Sequence, residues 1–597
     1  MIRPLLVLAL AAALGQREPA PQYFPPVAHP PLDPPLALSG TFGEQRGGHF
    51  HAGLDFSTDE EIGHPVYAAL PGRIVRVRSS GVGYGRSIYL QADDGRLLVY
   101  GHLDAFDEPL ASYMDSVQAA TARYEQDQWP DTARFRAAAG QRLGWSGRSG
   151  TGPPHLHFEI RRGDVAYNPL LAGVSVADTT PPLIRQVVLD PLDLDSTVEG
   201  DVVPVTRATT GAADTFAMSG SARLLVGAAD VRANGRLTMA PWRIRVSSAG
   251  GRVECRFDSV SWAEGMSEVD WVYDRGFRSP GSENVMLLWA PAGFRPRVLR
   301  SSADSALPAG VVRAGTLRLE AEDAAGNLAA RDVTLLPGPP APARERRARS
   351  GPEKTARLRR FEALDLTWPE DAERSVRAEV RSGREVVERG GDRLGAFRWE
   401  FGPRTFFEVP PVIGSCDLWR LGSWGELRLA GGAVALHPLL LPVRTPFRIS
   451  AAAPWPPERS LGLYRDSGEG WEWIGARLDS ATRELSAETR RFGRFALFRD
   501  VKAPRIELVM PPRTPPLWPY PRWALEAKLD ERGSGVDATA TTFIVDGKRV
   551  PSEWDAEVAT LRWRPLHAPA RGRHRCEVVA VDRAGNLSRG EGTFVLD

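Results

Sequence analysis

The phrase EAEDAAGNLAARDVTLL at 320–336 returns in outline as VVAVDRAGNLSRGEGTFVL at 578–596. Each has a run of alternating character, a DxAGN stretch and a second run. Asp, Gly and Asn favour turns and tolerate positive φ, so each phrase reads as two strands around a turn. The segments DTTPPLIRQVVLDP (178–191) and DVKAPRIELVMPP (500–512) match in the same way, an Asp and a Pro followed by a β-rich run. A unit that opens and closes on strands, and occurs twice, predicts antiparallel β-sandwiches over 178–336 and 500–597. Turn chemistry accounts for Asp323 and Asp582; calcium ligation is the alternative.

The chain has 597 residues, too many for one core, and about four units are expected. Between the repeated units lie a Pro/Arg-rich linker at 337–360 and a β-rich stretch at 361–499 that includes LGLYRDSGEGWEWIGARLD and carries no chemical constellation. Lys plus Arg (75) nearly cancels Asp plus Glu (74), so no broad basic field for nucleic acid is implied. MIRPLLVLALAAALG at 1–15 reads as a secretory signal: one Arg, a short apolar run, then small residues, too short to span a bilayer. No cysteine follows it, which argues against a lipid-attached N-terminus. Residues 16–36 are dense in proline and read as an extended tether. Cys255, Cys416 and Cys576 are three, far apart and without CxxC spacing, so no disulfide framework or cysteine metal site is expected.

From Gly40 to about Leu171 the texture is short strands and tight turns. PVYAAL, a PG turn and RIVRVRS make one hairpin; RSIYLQA, DDG and RLLVYGHL make another. Leu110, Tyr113, Met114 and Val117 fall at helical spacing, which predicts a helical insertion within 104–139. Histidines concentrate in this part of the chain. HFHAGLDF supplies His51 and Asp55, RLLVYGHL supplies His102, and PHLHFEI supplies His155 and His157. In a strand, His155, His157 and Glu159 share one face and Leu156, Phe158 and Ile160 the other, so one face reads as buried and one as chemical.

Three N and O donors beside an open position are what a catalytic zinc ion needs, and His51, Asp55 and one histidine of the HxH pair would make such a set. The other histidine would then be free for proton transfer. Glu159 could orient a ligand or be an exposed strand carboxylate. His49 shares a face with His51 if that stretch is extended, and a surface or structural role is favoured for it. HExxH and GxxxxGK[ST] are absent, and GVGYG at 81–85 reads as a hairpin turn.

HxxxD, the later YGHL and TGPPHLHFE, in that order, resemble the lysostaphin/LytM-type zinc endopeptidases of family M23 over roughly residues 40–171. GTFGEQR, GHPVYAALPGRIV and GQRLGWSGRSGTG frame them in a similar way. The resemblance implies an antiparallel β peptidase domain over 37–175, followed by Ig-like β-sandwiches. It implies one Zn2+ held by His51, Asp55 and His157, with His102 and His155 acting on the attacking water and the developing oxyanion. It implies a metalloendopeptidase exported to the periplasm or cell envelope and acting on peptide bonds of peptidoglycan. Envelope proteins could bind through the sandwiches, and neither nucleic acid nor a membrane span after signal cleavage is expected. Two features depart from the family's pattern: Pro153 and Pro154 stand where one Pro is usual, and the insertion after His102 is long. Two other functions fit such a chain: a non-catalytic regulator of other wall hydrolases, or an envelope-binding, adhesive β-sandwich protein.

Overall fold

The computed structural model describes residues 20–597 except 132–133, 193–195, 202–203, 210–213, 232–237, 275–276, 279–283, 291–294, 303–309, 341–376, 380–389, 402–412, 418–422, 438–441, 455, 457, 468–469 and 515–522. The expected signal segment and most of the Pro/Arg linker lie outside the described residues. Structure is mostly β, and nearly all strand pairs are antiparallel.

The first unit is built from β1 (Leu38–Gly40), β2 (Leu54–Ser57), β3 (Pro65–Tyr67), β4 (Gly72–Ser79), β5 (Arg86–Ala92), β6 (Leu97–Phe106), α1 (Leu110–Thr121), β7 (Gln126–Gln128), β8 (Arg136–Ala137), β9 (Arg142–Ser146), β10 (His155–Arg162) and β11 (Val165–Tyr167). Its sheet runs β1-β2-β10-β6-β5-β4-β7, with β9 joining β6 to β3. Strand β10 is central, paired with β2 on one side and β6 on the other. Leu156, Phe158 and Ile160 form its apolar face and are inaccessible to solvent, packed with Phe56, Tyr100 and Leu54. The opposite face, read as the chemical one, is buried as well: β10 is covered on both faces from His155 to Ile160. Its polar side chains must therefore find partners inside the protein.

Phe158 lies edge-on to Tyr100 with ring centroids 5.2 Å apart, and 6.2 Å from Phe56. Phe158→Ala would leave a cavity at the centre of this core, and we expect a loss of about 3–5 kcal/mol. Denaturant unfolding followed by a probe in this unit measures it.

The insertion contributes α1, which buries Leu110 and Met114 one turn apart, and the short strands β7 and β8, both of which pair with β4. Residues 20–36 are extended but do not hang free. Backbone N–H groups of Tyr23, Val27 and Ala28 donate to the carbonyls of Leu171, Gly173 and Ala69, and Phe24 and Leu32 sink into the core of the first unit. Prolines hold the arm extended, and its few large apolar side chains have somewhere to go.

Beyond residue 180, the described residues form three pairs of sheets: six and seven strands within 183–337, six and five within 377–499, and four and four within 505–596. In the last, Leu525, Ala527 and Leu529 of one sheet share a core with Phe543, Val578 and Phe594 of the other. The two DxAGN turns have the same construction: Asn327 Nδ2 donates to Asp323, and Asn586 Nδ2 to Asp582, each at 2.7 Å. Cys255 and Cys576 are buried free thiols, while the side chain of Cys416 lies outside the described residues. Among the described residues no helix is long and apolar enough to cross a membrane.

The units are not beads on a string. Strand Ser259–Ser261 of the second unit pairs with β11 and so extends the first sheet, and Phe42, Phe50 and Ala52 of the first unit lie in the second unit's core.

Candidate metal centre

Antiparallel register places Asp55 of β2 directly opposite His157 of β10, so the two side chains leave the sheet on the same face. Gly53, just before β2, allows the close approach: a Cβ there would lie 2.3 Å from the carbonyl oxygen of Phe158. His51 reaches the same point from the loop before β2. His51 Nε2, His157 Nδ1 and Asp55 Oδ1 are 2.9–3.0 Å apart, pair by pair.

The outward atoms of these residues fix which nitrogens face inward. Thr41 O lies 2.7 Å from His51 Nδ1 and accepts its N–H; Glu159 Oε1 lies 2.8 Å from His157 Nε2 and does the same. The converging atoms are then two imidazole lone pairs and a carboxylate oxygen, with neither outward N–H available to join them. Such a triangle repels itself unless a cation sits in it. The donor set thus fits a metal ion, and three protein ligands leave a fourth position of a tetrahedral site open.

Electrostatics point the same way. Burial, together with nearby Arg46, lowers the pKa of His51, which favours the neutral, ligating form. At His157 burial acts to lower the pKa, but hydrogen bonds to Asp55 and Glu159 outweigh it and carry it to about 9: the pocket demands positive charge at this spot. Glu159 is fully buried, and although burial would raise its pKa, Arg161 and His157 hold it at about 2. Its carboxylate accepts from Arg161 Nε and from Tyr84 Oη as well. Glu159→Gln, which weakens its hold on His157, is expected to reduce metal affinity about 10–100-fold without unfolding the sheet, read by competition with a chromogenic chelator.

His102 and His155 complete the cluster, with ring centroids 4.5 Å apart. His102 adopts φ 59°, a left-handed conformation uncommon for a non-glycine residue, at the bend where β6 leaves its pairing with β10. The loop 147–154 orients both rings. Ser149 O accepts from His102 Nδ1 at 2.8 Å, and Pro153 O accepts from His155 Nδ1 at 2.6 Å. Each Nε2 is therefore the lone-pair nitrogen, and that of His155 lies 3.5 Å from Asp55 Oδ1. The carbonyl that sets the His155 ring is that of Pro153, the first of the two prolines. Burial, with His155 and His157 nearby, depresses His102 to about 3 and keeps it neutral.

The structure brings together His51, Asp55, His102, His155, His157 and Glu159. His49 stays exposed at the edge, its pKa lowered by desolvation and by His51. Sequence reasoning missed Arg46, whose Nη2 donates to Asp55 Oδ2 at 2.8 Å, and Tyr84, whose ring packs 5.1 Å from that of His157. Arg46 stands in the framing GTFGEQR and Tyr84 in the GVGYG turn, so both lay in quoted segments whose side-chain use was not apparent.

The model of "Peptidase family M23" matches residues 49–121, which contain His51, Asp55 and His102 and end with the last residue of α1. A lipoprotein NlpD of Yersinia enterocolitica is 30% identical over 108 residues, 18% of this chain and 88% of that protein. The chain belongs to peptidase family M23. The murein hydrolase activator NlpD of Escherichia coli is 29% identical over 130 residues, 22% of this chain, and the chain spans only 27% of that relative's length. The solved catalytic domain of the prophage-encoded M23 protein EnpA of Enterococcus faecalis is 26% identical, covering 23% of this chain and 87% of that one, with a TM-score of 0.17. A zinc-containing peptidase of Vibrio cholerae is 20% identical over 27% of this chain and 41% of its own, with a TM-score of 0.17. The HxH pair lies beyond the residues that the family model matches and is joined to them by the pairing of β10 with β2 and β6.

Proposed function

We propose that this protein is an exported zinc metallopeptidase that hydrolyses amide bonds in the stem peptides or cross-bridges of peptidoglycan, with His51, Asp55 and His157 as zinc ligands and His102 and His155 as proton-transfer groups. The observation that carries the reading is the convergence of His51 Nε2, Asp55 Oδ1 and His157 Nδ1 beside two histidines, each held at Nδ1 by a backbone carbonyl. Zinc bound there would polarise a substrate carbonyl and lower the pKa of a water molecule. His155 Nε2 can take the proton from the attacking water and return it to the leaving amine nitrogen, because Pro153 O retains the Nδ1 proton throughout. The neutral ring of His102, fixed through Ser149 O, borders the same space. Export, peptidoglycan as substrate and immunoglobulin-like character of the later sandwiches are parts of the same proposal.

A second reading is favoured by the relatives named murein hydrolase activators. In it the first unit binds another wall hydrolase and turns over nothing itself. Mass spectrometry of soluble fragments released from purified peptidoglycan by the zinc-loaded protein separates the two. Released peptides, absent with His155→Ala, support the peptidase and name the bond cut. Stoichiometric zinc with no release supports the activator.

A further inference from the structure

The loop 147–154 orients both proton-transfer histidines through its carbonyls, and the last unit of the chain grips that loop and its neighbours. The strands Glu553–Asp555 and Thr560–Trp563 and their connection lie against the first unit. Glu557, in that connection, accepts from the backbone N–H of Gly152 with both carboxylate oxygens at 2.8 Å. Gly152 lies between Ser149 and Pro153, the two residues whose carbonyls hold His102 and His155.

Other contacts surround this one. Arg564 Nη1 donates to both oxygens of Asp104, at 2.8 and 2.9 Å, two residues after His102 on β6. Glu553 is 4% exposed and accepts from Arg86 Nη2 at 3.0 Å and from Tyr124 Oη at 2.8 Å. Arg86 opens β5, and its backbone N–H donates to Ser149 Oγ at 2.8 Å. Asp115 of α1 accepts from Leu566 N at 3.0 Å. These contacts fall on the His102–His155 side of the centre, whereas the outward partners of the ligands, Thr41 and Glu159, belong to the first unit.

We infer that the C-terminal unit is a working part of the hydrolytic site: Glu557 is a positioning residue that holds the loop 147–154, and Arg564 a second anchor through Asp104, so that the two free histidines keep their orientation. The inference rests on the hydrolase reading for its effect on turnover, but not for its effect on the loop. An ion pair buried on folding fixes a register between units, and Glu553 with Arg86 supplies that here; the exposed Glu557 then needs only to hold one amide. The arrangement also gives the long insertion a role, since Tyr124 and Asp115 within 104–139 form part of the seat.

The test compares the full-length zinc-loaded protein with Glu557→Ala, Glu557→Gln and Arg564→Met. Glu557 is exposed, so its replacement leaves folding intact, and Gln keeps one acceptor for Gly152 N–H. Hydrogen exchange of amides 147–155 is read first; the expected result is exchange about 10-fold faster in Glu557→Ala and Arg564→Met, with Glu557→Gln near wild type and zinc stoichiometry equal in all four. On a soluble cross-linked muropeptide, kcat of Glu557→Ala is expected to fall about 10-fold with KM unchanged, since a small misplacement of a proton-transfer group acts on the chemical step. Unchanged exchange in both Glu557→Ala and Arg564→Met overturns the inference. So does a rise in kcat, which would make the C-terminal unit a shield. If wild type cleaves nothing, the hydrolase reading falls, and the exchange data still decide whether the loop is held.

Discussion

His157→Ala is expected to abolish stoichiometric zinc binding, with metal content falling from about one ion per chain to under a tenth of that after dialysis. The side chain supplies one of three converging donors, and its loss leaves only His51 Nε2 and Asp55 Oδ1, 3.0 Å apart. Two ligands do not hold zinc against water, whereas three on rigid elements do. Release of peptides from peptidoglycan should vanish with the metal. Dialysis of wild type against a chelator should produce the same loss, and added zinc should restore wild type but not the variant. The sheet should survive, because Leu156 and Phe158 on the opposite face keep their packing and Glu159 keeps Arg161 and Tyr84. Full retention of zinc by His157→Ala would show that these three residues are not the ligand set.

His155→Ala is expected to give the opposite pattern: zinc bound at wild-type stoichiometry, and turnover of a cross-linked muropeptide lowered about 10²–10⁴-fold in kcat. His155 stands two residues before His157 on the same strand face, yet its Nδ1 is tied to Pro153 O and its Nε2 is 3.5 Å from Asp55, outside the tight triangle. A group that moves protons without binding metal separates the two readouts, and calorimetric titration of zinc beside steady-state kinetics measures both. Loss of zinc in this variant would assign His155 to the ligands instead.

Much of the centre was legible before any coordinates. Alternation along PHLHFEI places His155, His157 and Glu159 on one face because strand side chains repeat every two residues. The spacing of HFHAGLDF puts His51 and Asp55 within reach of one another across a short turn into β2. Glu159 shows where such reasoning stops. Alternation fixed its side of the strand, but burial, which depends on what covers that side, was undetermined, and it turned out to be wholly enclosed by Tyr84, His157 and Arg161.

Local pattern therefore determined the strands, their two faces and the donor types, because these follow from backbone geometry and from each residue's own chemistry. Tertiary structure decided which nitrogen of His51 and of His102 faces the centre, since that depends on a carbonyl supplied by another segment, Thr41 for His51 and Ser149 for His102, whereas Pro153 and Glu159 fix His155 and His157 from two residues away. It also decided that Glu557 and Arg564, some four hundred residues further along, lie against the loops that carry this chemistry. No periodicity can reveal such a contact, because the docking of separately folded units is set by shape and charge matching across their surfaces rather than by spacing along the chain.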